Sequence, residues 1–67
     1  MTRKVRDVVR ALEQRGWVCV RQNGTSHRQF RKPGNPFVVT IHGKPSDDLA
    51  RGTLSDIIRK SGITLFE

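Results

Sequence analysis

At 67 residues the chain has the length of one small domain. A domain of that size buries only about 60% of the surface its unfolded chain exposes, so any core is thin. Thirteen Lys and Arg against six Asp and Glu leave a formal charge of +7, which favours a polyanion or an acidic protein as partner and also fits a surface kept for solubility. Hydrophobic residues at 34% against charged residues at 28% are too many for a disordered polycation, so the chain is expected to fold as a single domain over 1–67. The single Cys19 excludes an internal disulfide, and no apolar run approaches the roughly 18 residues of a membrane span. The basic start from Met1 to Arg6 is like the charged region of a signal peptide. Asp7, Arg10, Glu13 and Gln14 break the apolar segment that should follow, and a cytoplasmic location is expected.

Val5, Val8, Val9 and Leu12 recur at the spacing of one helical face, with Arg3, Arg6 and Arg10 on the other side. This predicts a helix over about residues 3–15, with Thr2 as its cap and Gly16 as the left-handed residue that ends it. From Trp17 to Gln22 aromatic and β-branched residues surround Cys19. Asn23-Gly24 then allows a tight reversal into Ser26 to Arg31, a β-hairpin. The register of its first strand stays open, because Val18 and Val20 compete with Trp17 and Cys19 for the buried side. Pro33-Gly34-Asn35-Pro36 is a second turn, and Phe37 to Ile41 reads as a third strand. His42 to Asp48 reads as a polar loop. Leu54, Ile57 and Ile58 at helical spacing then predict a closing helix, capped by Thr53 with Asp56 three residues on and ended by Gly62. The expected class is α+β, in the order α-β-β-β-α, with a three-stranded antiparallel sheet and both helices on one face over Phe30, Phe37, Val39 and Ile41. Double-stranded RNA-binding domains have this order.

Side chains alternate along a strand, so if Phe30 points into the core, Arg28 and Ser26 share its side while His27, Gln29 and Arg31 point away. His27 is then an exposed imidazole just past a flexible turn, a group that exchanges protons near neutral pH. RNA cleavage needs a base to take the ribose 2′-OH proton and cations to stabilise charge on the phosphate. Arg28, Arg31, Lys32 and Lys44 are near enough in sequence to be those cations. His42 is a candidate second group that protonates the leaving 5′-oxygen, or an inert loop histidine. Ser26 either orients His27 and binds phosphate or stabilises the turn. His27, His42 and Cys19 lack the close spacing of a zinc site, so no metal or other cofactor is expected. Cys19 reads as a half-buried strand residue rather than a nucleophile, and Trp17 and Phe37 as core rather than base-stacking platforms. Arg3, Arg6 and Arg10 either track phosphates or form a solvated helix face.

Three stretches carry a resemblance to a known family. Leu12 to Trp17 with Val20 to Arg31, including Gly24-Thr25-Ser26-His27, resembles the helix-to-hairpin signature of HicA toxins, in which a glycine turn leads into a Ser-His pair. Gly52 to Ile63 is similar to that family's closing helix, and Phe37 to Ile41 fits the strand between them. The resemblance implies an mRNA interferase, that is, a metal-independent endoribonuclease with a fold like a double-stranded RNA-binding domain. It makes His27 the essential histidine, with Gly24 and Ser26 beside it. It also implies mRNA as substrate and a HicB-type antitoxin as partner, with operator DNA bound only through the antitoxin. Two departures stand out: Thr25 separates the turn glycine from Ser26-His27, and Ile41 stands before His42 where the family often has proline. Two other readings remain. One is a non-catalytic module that grips structured RNA by its phosphates and 2′-hydroxyls, against which Arg51-Gly52-Thr53-Leu54 replaces the lysine-rich helix start of such binders. The other is a protein-interaction domain without RNA affinity.

Overall fold

The computed structural model describes residues 3–24 and 27–63. Within them the order is α1 (Val5–Gln14), β1 (Val18–Asn23), β2 (His27–Arg31), β3 (Val39–His42) and α2 (Arg51–Ser61). The strands form one antiparallel sheet in the order β1-β2-β3, so the expected α-β-β-β-α architecture holds. Val5, Val8 and Leu12 of α1 and Leu54 and Ile57 of α2 pack with Phe30, Val39 and Ile41 in one buried cluster. Both helices therefore cover the same sheet face. Burying such side chains stabilises by roughly 1.5–3 kcal/mol each, before the entropy of ordering the chain is counted.

The two ends of α1 are built differently. Gly16, at φ +89°, ends the helix as its position predicts. Its N–H donates to the Glu13 carbonyl at 3.1 Å, and the Trp17 N–H donates to the Leu12 carbonyl at 3.0 Å. This paired motif satisfies the last carbonyls and folds buried Trp17 back toward buried Leu12. Thr2, the expected N-cap, lies outside the described residues. Lys4 holds the cap position, its side chain turned to Ser46 O and Asp48 and making no capping bond. Carbonyls of the loop after β3 serve the first turn instead: Val5 N–H donates to Asp47 O at 2.9 Å and Arg6 N–H to Pro45 O at 3.1 Å.

Several expectations are corrected. The third strand begins at Val39, not Phe37, because the Phe37 amide donates to the Asn35 side-chain oxygen at 2.8 Å, a local turn that competes with strand pairing. Phe37 is accordingly 48% exposed and not part of the core. The closing helix starts at Arg51 with Ala50 as its unassisted cap, so Thr53 lies inside it. Asp56 instead pairs forward with Arg59 and with Lys60, the latter at 2.9 Å. Cys19 is exposed rather than half-buried: it stands opposite Phe30 on the core side, but every residue of β1 is exposed, because the buried cluster lies over β2 and β3. Trp17 is buried, as expected.

Candidate active site

The register fixes which side chains meet. Phe30 is buried, so His27, Gln29 and Arg31 project from the opposite, outer sheet face. On β3, His42 stands opposite His27 and Thr40 opposite Gln29; on β1, Asn23 stands opposite His27, Arg21 opposite Gln29 and Val18 opposite Arg31. His42, expected in a loop, is thus the last residue of β3. The two imidazole rings lie edge to face, with centroids 4.6 Å apart and planes at 88°. Both histidines are exposed. Among the described residues, neither imidazole has a hydrogen-bond or ion-pair partner, which leaves the ring nitrogens available to a substrate.

A β-bulge decides which cation joins this face. Cys19 pairs with Phe30 and Arg21 with Gln29, so the register shifts across Val20. Without the extra residue, Arg21 would share the core side with Cys19. With it, Arg21 opposes a residue only two positions from His27, about 7 Å along the strand. Sequence reasoning missed Arg21, and nothing in Val18-Cys19-Val20-Arg21 announces the bulge. Arg31 shares the face but stands four positions from His27, about 13 Å away. Among the described residues the paired positions of the outer face carry no carboxylate.

The other expected supporting residues are distributed unevenly. Arg28 stands opposite Ile41 and Gln22 on the core side, half-buried, with an enclosed Nε that has no partner. It is not on the face of His27. Lys32 lies past the far end of β2, its Cε 3.7 Å from where a β-carbon on Gly16 would stand. Lys44 is near the pair, two residues beyond His42, in a loop whose form is set by its amide donating to Asp47 Oδ2 at 2.9 Å. Gly24 occupies the hairpin turn at φ +63°, a left-handed conformation that suits glycine. Ser26 lies outside the described residues. Among the described residues, no three His, Cys, Asp or Glu side chains gather as metal ligands, and no helix is long and apolar enough to cross a membrane.

An outer sheet face with two adjoining imidazoles, arginines and no carboxylate is equipped to hold a phosphodiester and move protons on it. Comparisons with known proteins give the family. The family model described as the HicA toxin of bacterial toxin-antitoxin matches residues 5–63. A solved chain from a "HicA3 and HicB3 toxin-antitoxin complex" is similar at a TM-score of 0.72 and 27% identity, over 94% of this chain and 98% of that one. No curated protein is similar enough to match. The match spans both helices, all three strands and the histidine pair, and the chain belongs to the HicA toxin family.

Proposed function

We propose that this toxin is an mRNA-cleaving endoribonuclease in which His27 takes the proton of the ribose 2′-OH, and that a HicB-type antitoxin neutralises it in the cytoplasm. Ribonuclease activity is the known function of the HicA family, and the similar solved chain is in complex with a HicB3 protein. The observation that carries the role of His27 is its place: an exposed imidazole at the start of β2, beside the Gly24 turn, on a sheet face with Arg21 and Arg31. Gly24 itself presents no side chain, and nothing lies within 4 Å of where its β-carbon would stand, so a substrate backbone can approach there, and the arginines offset phosphate charge. The 2′-oxygen then attacks phosphorus without a metal to activate it. A chain of formal charge +7 meets an antitoxin of acidic surface quickly, because opposite fields steer encounter. Operator DNA is contacted through the antitoxin.

The test is induction of the chain and of His27→Ala in a bacterium, following growth and the integrity of several long mRNAs, with both proteins shown to accumulate folded. Native chain stops growth and fragments message; the variant does neither; co-expressed antitoxin restores growth. If both proteins leave mRNA intact while binding RNA, the chain is a binding module.

A further inference from the structure

We propose that His42 is the second proton-transfer group of the site, the acid that protonates the leaving 5′-oxygen. The inference rests on the reading of His27 as the base. Register pairing sets the two residues directly opposite at the end of the β2–β3 ladder, and their rings meet at 4.6 Å. A phosphodiester seated on one imidazole is therefore within reach of the other. Perpendicular rings aim their nitrogens along different directions, and the attacking 2′-oxygen and the leaving 5′-oxygen lie on different sides of the phosphorus.

Among the described residues the paired positions favour His42, which stands in the ladder opposite His27, over Lys44, which follows in the loop. Around the pair the outer face presents Asn23, Arg21, Gln29, Thr40 and Arg31. Amides and a hydroxyl are poor acids, and a guanidinium does not give up its proton in a protein. An unprotonated 5′-alkoxide leaves slowly, so a site with a base alone forgoes the factor of about 10²–10⁴ that a positioned acid contributes. The step balances as follows. The 2′-O–H bond breaks and its proton passes to the His27 imidazole while the 2′-O–P bond forms. The P–O5′ bond breaks and the 5′-oxygen takes a proton from the His42 imidazolium. The products are a 2′,3′-cyclic phosphate and a 5′-hydroxyl, and exchange with water resets both rings.

His42 is also held in place. Gly43 follows it at φ +110°, and the next turn is closed by the Lys44 amide on Asp47 Oδ2 and by Asp47 N–H on Lys44 O, both at 2.9 Å. Asp47 O in turn receives the Val5 amide of α1. The end of β3 is thereby tied to the helix layer through backbone bonds.

The experiment uses the full chain and its His27→Ala, His42→Ala and His42→Gln variants, each with a melting curve matching the parent. Two RNA oligonucleotides span one mapped cleavage position; in the second, sulfur replaces the bridging 5′-oxygen there and departs without a proton. Both His42 variants are expected to cut the ordinary oligonucleotide at least about 10²-fold more slowly and the sulfur-bridged one within about tenfold of the parent. His27→Ala is slow on both. Parent-like cutting of ordinary RNA by the His42 variants, or an equal loss on both substrates, overturns the proposal while leaving the role of His27 standing. A parent chain that cuts neither oligonucleotide, or a His27→Ala variant that cuts both at the parent rate, overturns the reading of His27 and this inference with it.

Discussion

Gly43 and Asp47 pack closely: a β-carbon on Gly43 would stand 3.2 Å from Asp47 Oδ2, tighter than usual, on a backbone at φ +110°. Gly43→Ala is therefore strained by conformation and by contact. It should lower stability by about 1–3 kcal/mol and, because it moves the end of β3, slow RNA cleavage beyond what the lost stability explains. Denaturant titration with a cleavage assay at a temperature where the variant stays folded separates the two effects.

The outer face predicts which arginines bind RNA. Arg21→Ala and Arg31→Ala should each weaken binding of single-stranded RNA and reduce the steepness of its salt dependence by about 0.7 per lost phosphate contact. Arg28→Met, on the core side opposite Ile41, should leave that slope unchanged. Fluorescence anisotropy across a salt series reads all three; an unaltered slope for both outer-face variants removes Arg21 and Arg31 from the RNA surface.

Asp56 predicts a pH dependence confined to acid. The Lys60 and Arg59 side chains that bond it hold its carboxyl below the ordinary carboxylate value. A lowered folded value means the pairing stabilises fully above the unfolded value of about 3.9 and is lost as pH falls through the folded value. Asp56→Asn should thus melt slightly below the parent at every pH from about 4 to 8, and the gap should close as the pH drops further. Exposed partners keep the effect small. Melting curves over a pH series check it.

Cys19 is exposed on β1 and belongs to the face opposite His27 through its pairing with Phe30. An alkylating reagent should label it in the folded protein without denaturant, and the labelled chain should cleave RNA as the unlabelled one does. Protection of the thiol until unfolding, read by mass spectrometry, contradicts the edge position of β1.

Helix periodicity made Val5, Val8 and Leu12 readable as core, and strand alternation made Phe30 inward and His27 outward; these patterns are local and the structure keeps them. What stayed illegible depends on partners distant in the chain. The first strand's register could not be settled from burial because no residue of β1 is buried. A cap at Thr53 is plausible by residue type, yet α2 starts at Arg51, and the first turn of α1 takes carbonyls from Asp47 and Pro45, acceptors that no local motif reveals. His42 looked like the first loop residue because Gly43 follows it, and its meeting with His27 depends on how β2 and β3 pair. Arg21 joined the site through a one-residue bulge.

That bulge also bears on solubility. Among the described residues β1 borders β2 alone, with Val18 and Val20 exposed at 58% and 56%, and an open edge of this kind is a template on which copies of a chain can stack into fibres. Crowded expression would reward such stacking. The register shift at Val20 twists the border out of the straight line that another strand needs, and Arg21 adds repulsion between copies. The residue that turns Arg21 to the face of His27 thus also makes this edge a poorer template for a second copy of the chain.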